Sequence, residues 1–411
     1  MRIVMKFGGT SVANIERIEI AADKIKREYE EFGNQIAVVV SAMSGVTNQL
    51  VDYCGLVSPL YDLREYDAVV SSGEQVTAGL MAIALQKRGI SARSWLGWQI
   101  PVVCSEYHGK ARILSIDETE MMKRFIEGEI AVVAGFQGVS NRKRISTLGR
   151  GGSDTSAVAL AAAIKADRCD IYTDVDGIYT TDPRIVQKAR KLKEISYEEM
   201  LEIASQGAKV LQTRSVEMGM KTNMELQVLS SFEDRVGSEK PGTFVKREED
   251  VVEKELVSGI VYSKNEAKIT LRNVPDIPGI AAKVFGPLAD AGINVDMIVQ
   301  NISPDGKTTD MTFTVSSSEH DRSIDILKKR DELRELNIVS DSSVAKISVV
   351  GIGMKSHAGV AQKMFQTLAD KGINIQVIST SEIKISVLIE EEYTELAIRS
   401  LHHAYGLDEA A

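Results

Sequence analysis

The chain of 411 residues is poor in cysteine, proline and histidine, with three, eight and five of each, and aromatic residues make up only 5% of it. Cys54, Cys104 and Cys169 are odd in number and far apart, which suggests neither a disulfide framework nor a zinc site; they read as buried thiols. There is no excess of positive charge: 49 Lys and Arg stand against 58 Asp and Glu, a formal charge of −9. That balance argues against a surface built for nucleic acid or anionic lipid, so an anionic ligand must be met by a few placed cations. No apolar run approaches the roughly 18 residues of a membrane helix. The start, MRIVMKFGG, lacks the charged region, apolar stretch and cleavage site of a signal peptide. These absences lead us to expect a soluble, cytoplasmic protein with no nucleic-acid or membrane partner. His108, His320, His357, His402 and His403 all sit outside strand-end positions, so we assign no Ser-His-Asp arrangement and no metal ligand.

The length suggests two to four domains at roughly 100–200 residues each. Up to residue 230, short apolar runs alternate with helical patterns: IVMKF, IAVVVS, DAVVSSGE, AVVAGFQG and CDIYTDVDG, with helices over 14–31, 47–57 and 74–87 between them. This is the signature of an α/β fold, a mostly parallel sheet sandwiched by helices. Polar and glycine residues collect where the runs end: Lys6, Gly8 and Gly9, then Ser41, Glu74, Gly135 and Asp174. In open α/β sheets the ligand crevice lies outside the carboxyl ends of the strands, so these residues should converge.

Residues 233–255 are charged, contain Pro-Gly and have little periodicity, as a linker would. Beyond them the chain repeats itself. PGIAAKVFGPLADAGIN from Pro278 matches AGVAQKMFQTLADKGIN from Ala358, with Leu288 and Leu368 set 80 residues apart. Each copy reads strand, helix, two strands, helix, which is a ferredoxin-like layout. The second copy looks short of a strand that 251–263 could supply by crossing back. The expected divisions are 1–232, a linker and possible strand over 233–262, then repeats over 263–341 and 342–411.

KFGGTS, 6–11, ends a strand in two glycines before a helix, so exposed amides, a helix N-terminus and Lys6 form a candidate anion site. GRGGSD, 149–154, adds a second such turn, with Ser153 and Asp154 as helix caps and Arg150 as a fork suited to a carboxylate. In YTDVDGIYTTDPR, 172–184, Asp174 could orient a lysine or bind a metal indirectly, and Tyr179 and Arg184 could grip a nucleotide; the Asp-Gly and Asp-Pro pairs are also ordinary turn dipeptides. Glu74, if it faces the crevice, suits a ligand ammonium. Cations and backbone donors without a nucleophile or base are what phosphoryl transfer requires, with Mg²⁺ held largely by the nucleotide's oxygens.

KFGGTS, SAMSGVTN (41–48), SSGE (71–74), GRGGSDTSA (149–157), TDVDGIYTTDPR (173–184) and GAKVL (207–211) together resemble the aspartate kinase family, over nearly the whole chain. The resemblance implies an amino acid kinase fold followed by two ferredoxin-like ACT domains, and ATP-dependent phosphorylation of the β-carboxylate of L-aspartate. It implies Lys6, Asp174 and Lys209 as catalytic groups, with Asp174 holding Lys6 in place. Phe7, Gly8, Gly9, Ser41, Ser153, Thr173, Tyr179 and Arg184 would join them around ATP and Mg²⁺. Thr47, Glu74, Arg150, Gly151, Gly152 and Ser153 would hold aspartate. Lysine, threonine or both would inhibit by binding the ACT repeats at Asp276, Gly279, Asn294, Asp296 and Gln300, and at Gly359, Val360, Asn374, Ile375, Ser381 and Glu382. A homodimer or higher oligomer through the ACT repeats is also implied. Other carboxylate or carbamate kinases of this fold, and a sensor that has lost turnover, are the alternatives.

Overall fold

The computed structural model describes residues 1–206, 210–251, 256–302, 306–330, 337–352, 354, 357 and 359–408. They form two compact units: 1–178 with 191–253, and 179–190 with 254–411.

The first unit begins β1 (Arg2–Phe7), α1 (Ile15–Glu30), β2 (Gln35–Val40), α2 (Val46–Val57), α3 (Leu63–Val70) and α4 (Ser72–Lys87). Strands β3 (Ala92–Trp95), β4 (Val102–Cys104) and β5 (Ile113–Ile116) follow, then α5 (Thr119–Ile126), β6 (Ile130–Ala134), β7 (Gln137–Ser140) and β8 (Ile145–Thr147). The unit closes with α6 (Gly152–Ala163), β9 (Arg168–Thr173), β10 (Glu194–Ser196), α7 (Tyr197–Ser205), α8 (Thr213–Thr222), β11 (Leu226–Ser230) and β12 (Thr243–Lys246). Eight strands form one sheet in the order β10-β12-β11-β9-β1-β2-β6-β3, parallel throughout except β11 with β12. Its central strands are buried along nearly their whole length, which is why they read as continuous apolar runs. Strands β5, β4, β7 and β8 form a separate four-stranded sheet.

Three expectations change. DAVVSSGE reads as a strand but forms the end of α3 and the start of α4, with the Asp62 side chain capping α3 through the Arg64 N–H. A short apolar run does not distinguish a buried helix from a strand, and here the cap decides. Together α3 and α4 give a 25-residue stretch, Leu63–Lys87, apolar enough by composition to span a membrane, yet 56% of its most apolar window is buried inside the protein. The third change is that Thr243–Lys246, within the stretch read as a linker, is a strand of the main sheet.

In the second unit, β13 (Gly259–Pro275), α9 (Ile280–Asp290), β14 (Asp296–Ile302), β15 (Thr308–Val315) and α10 (His320–Lys328) precede β16 (Asn337–Val350). Next come α11 (Val360–Asp370), β17 (Val377–Thr380), β18 (Lys384–Glu390) and α12 (Thr394–Ala404). One antiparallel sheet runs β14-β15-β13-β16-β18-β17. The long β13 serves both repeats: Ile260 packs in one apolar core with Ile347 and Met364, and Ile269 in the other with Val284 and Phe313. Gly259–Ser263 pairs with Lys346–Val350 of the second repeat.

Candidate active site

The alternation of β1 decides where its lysine points. Ile3, Met5 and Phe7 share an apolar cluster with residues of α1 and α4, so Lys6, out of step by one, lies on the opposite face. That face is covered by α6, and Lys6, 7% exposed, meets the first turn of that helix. Its Nζ lies 2.5 Å from Asp154 Oδ1, a contact of charges rather than an aligned hydrogen bond, since Oδ1 has no donor.

The structure thus gives Lys6 a different carboxylate from the expected Asp174. Asp174 is exposed and accepts a hydrogen bond from Thr173 Oγ1 at 3.2 Å. Nor does Asp154 cap its helix: the N-cap is Gly151, in the left-handed region at φ 71°, with no side-chain cap. A side chain at Gly151 would also run into Gln212, whose Cγ lies 2.1 Å from an ideal Cβ. Glycine is needed here for both its backbone and its bareness. Asp154 is the functional candidate that sequence reasoning passed over. It stands in GGSD, where an acid in a helix's first turn has a sufficient local explanation.

Around this pair opens a crevice of about 450 Å³, at the carboxyl ends of β1, β2 and β9. Lys6, Gly8, Gly9, Ser41, Thr47, Glu74, Arg150, Gly151, Gly152, Ser153 and Thr173 all line it, residues far apart in sequence. Thr10, Ser44 and Gln212 line it as well and had gone unremarked.

Two lining charges are incomplete. Glu74, in the first turn of α4, is 3% exposed; its Oε1 accepts the Ala42 N–H at 3.1 Å, while Oε2 is buried with no partner. Burial without a cation pushes its carboxyl up to about 7. Arg150 is exposed in the crevice, and its guanidinium has no ion-pair or hydrogen-bond partner among the described residues. The site therefore offers an anionic acceptor and a cationic fork, both awaiting a ligand.

Other expected residues lie elsewhere. The Phe7 ring stacks on Tyr172 at 4.6 Å inside the core, leaving only its backbone near the crevice. Tyr179 and Arg184 belong to the second unit, where Arg184 is 86% exposed at its side chain and pairs with Asp182 at 2.8 Å. Lys209 lies outside the described residues.

In the repeats, Asp276, Gly279, Asn294, Gln300, Gly359, Asn374 and Glu382 are exposed, with Ser381 and Ile375 half-buried. Gly279 and Gly359 occupy the same place, the left-handed N-caps of α9 and α11 at φ 90° and 105°. Asp296 is already bound by buried Lys346, at 2.6 Å. Val360 is 4% exposed in the core, so its side chain does not present a binding surface.

Comparison with known proteins agrees with this arrangement. Residues 1–230 match the amino acid kinase family, and 269–335 and 347–405 match ACT domains. The chain is 54% identical to an aspartate kinase of Pseudomonas fluorescens (strain SBW25), over 100% of this chain and 98% of that protein. It is 52% identical to an aspartokinase of Pseudomonas aeruginosa, again over 100% and 98%. Among solved structures, E. coli aspartokinase III in complex with aspartate and ADP (R-state) superimposes with a TM-score of 0.80 at 26% identity, covering 98% of this chain and 99% of that one. The complex of the same enzyme with lysine and aspartate (T-state) gives 0.78, also at 26% identity, over 98% of both chains. Family matches, full-length identity and shared fold converge: the chain belongs to the amino acid kinase family, among its aspartate kinases, with two ACT domains after the kinase domain.

Proposed function

We propose that the crevice holds ATP and L-aspartate together and that the γ-phosphoryl passes to the β-carboxylate, giving 4-phospho-L-aspartate. This is the committed entry to lysine, threonine and methionine synthesis in the cytoplasm. The observation that carries the reading is the juxtaposition, among the described residues, of a buried carboxyl with no cation beside it, Glu74, and a guanidinium with no ion-pair or hydrogen-bond partner, Arg150, in the crevice that also holds Lys6. An α-amino acid brings an ammonium and a carboxylate, the complements of those two groups. E. coli aspartokinase III has been solved with aspartate and ADP, which supports the same ligands here.

In this reading Glu74 takes the α-ammonium and Arg150 the α-carboxylate, leaving the β-carboxylate directed at the phosphoryl group. Thr47 and Ser153 supply hydroxyl donors. Lys6, with the amides of Gly8 and Gly9, stabilises charge that grows on the transferred phosphoryl, and Asp154 holds Lys6 at the end of β1. Ser41 and Thr173 border the nucleotide, and Asp174 and Lys209 are proposed to complete its surroundings. Among the described residues no cluster of three or more His, Cys, Asp or Glu side chains could cage a metal. In this reading Mg²⁺ travels with the nucleotide's own oxygens, with Asp154 the acid beside Lys6 that would face it. When bound, it neutralises phosphate charge.

For regulation we propose that lysine, threonine or both bind the ACT repeats, at the exposed positions named above, and favour one arrangement of the crevice over another. The repeats would also pair between chains. ADP release, measured with L-aspartate and with N-acetylglutamate as acceptors, tests the reaction; turnover with N-acetylglutamate alone would refute it. Titration with lysine and threonine, singly and together, tests regulation, and insensitivity to every combination would dismiss it.

A further inference from the structure

Arg150 is exposed and, among the described residues, has no partner of its own, so the backbone of its loop sets where the guanidinium can reach. That backbone is fastened from a distance. Asp67, in α3, is 0% exposed and lies 80 residues from Thr147 in sequence, yet its carboxylate gathers donors from two loops. Thr147 Oγ1, at the end of β8, donates to Oδ1. The Gly109 N–H lies 3.0 and 3.2 Å from the two oxygens, and His108 Nδ1 is 2.7 Å from Oδ2. A His nitrogen that bonds a carboxylate carries the proton, so all three partners are donors. A carboxyl group offers acceptors on both oxygens to these donors, whereas an amide would turn an N–H toward one side of the cluster.

The contacts continue to the arginine. The Ala111 N–H donates to Thr147 O at 2.9 Å, joining the two loops that Asp67 clasps. One residue on, Leu148 is buried with Val102, Cys104 and Ala111 under the four-stranded sheet, and its carbonyl accepts from Arg214 Nη1 at 2.5 Å. Gly149, at φ 74°, then turns the chain with its α-carbon surface against the Gly109 carbonyl, 3.1 Å from an ideal Cβ. Arg150 follows directly.

We propose that Asp67 is a positioning residue for recognition of the substrate's α-carboxylate: acting through Thr147 and Gly109, it sets the loop from which Arg150 reaches into the crevice. This rests on the reading of Arg150 as the carboxylate clamp. Asp67 touches no substrate. Lys6 is held by a different element, β1, while Glu74 stands on α4, which follows α3 at Ser71; the Ser71 N–H bonds the Asp67 backbone carbonyl, a contact that substitution of the Asp67 or Thr147 side chain leaves in place.

Asp67→Asn is the direct test. Should that variant fail to fold, Thr147→Val, which removes only the hydroxyl at constant shape, carries the same question. A lost hydrogen bond to a buried charge predicts that either raises KM for aspartate by about tenfold or more. Over the same comparison KM for ATP should move by less than about twofold. The inhibition constant of β-alanine, which keeps the amine and the reacting carboxyl but lacks the α-carboxylate, should also stay in place. Thr147→Ser should restore the aspartate KM. The proposal is overturned if KM for aspartate does not move. It is equally overturned if ATP and β-alanine affinities fall with it, the mark of general disruption. Arg150→Ala, measured alongside, separates the two levels. A large rise in its aspartate KM beside an unmoved Thr147→Val rejects only the positioning role, whereas an unchanged aspartate KM in Arg150→Ala rejects the clamp itself.

Discussion

The two ends of the crevice are finished differently. At one end Lys6 arrives already paired with Asp154, held between a buried strand and a helix start. At the other, the buried carboxyl of Glu74 has no cation beside it and the exposed guanidinium of Arg150 has no ion-pair or hydrogen-bond partner, among the described residues. The difference follows from what each end has to do. Stabilising a transition state demands groups fixed before the ligand comes, because reorganisation during reaction costs rate. Selecting a substrate demands charges left unsatisfied, so that only a complementary ligand completes them.

Removing the fixed end should do the most damage. Lys6→Ala is expected to lower kcat by about 10²–10³-fold with a smaller change in KM for aspartate; near-normal turnover in a steady-state assay would refute its role. Arg150→Ala, at the open end, should instead raise KM for aspartate by about 10–10²-fold with kcat less affected.

Glu74 separates the ends through pH. Its folded-state pKa of about 7 lies above the usual 4.5, so the native protein favours the protonated form. Stability from this group is therefore full below pH 4.5 and is lost as pH rises through 7, by about 3 kcal/mol in the ligand-free protein. Denaturant titrations across that range should show this slope in the native sequence and a flatter one in Glu74→Gln. Aspartate, by supplying an ammonium, should suppress it. The smallest effect is expected at Gly135, where an added Cβ would sit 2.9 Å from Ser153 Cβ and 3.0 Å from Val40 O. Gly135→Ala should displace the start of α6 enough to cost about 1–3 kcal/mol in thermal or chemical denaturation.

Strands β1, β2, β6 and β9, and crevice residues at their ends such as Lys6, Gly8, Gly9 and Ser41, could be read from local signals, whereas β3, β10, β11 and β12 could not. Continuous apolar runs ending in glycine and polar residues mark buried parallel strands and their functional ends. Contacts that depend on which face meets which element could not be read. Asp154 looked like a helix cap because nothing local says that β1 passes beneath its turn with Lys6 pointing up. Asp67 sat in a run taken for a strand, and its partners lie 41, 42 and 80 residues away. In the second unit, the repeat was evident from matching residues. That one strand of 17 residues serves both copies was visible only in part, since the charged stretch before it hides where pairing begins.

The sharpest measurement compares L-aspartate with succinate, which keeps both carboxylates and lacks the ammonium, as acceptors for the native enzyme and for Glu74→Gln. A site built to receive an ammonium on a buried carboxylate should prefer aspartate by about 10⁴-fold in kcat/KM, and Glu74→Gln should narrow that preference by at least about tenfold. An equal preference in the two proteins would show that Glu74 does not receive the amine and that the crevice recognises its substrate by other means.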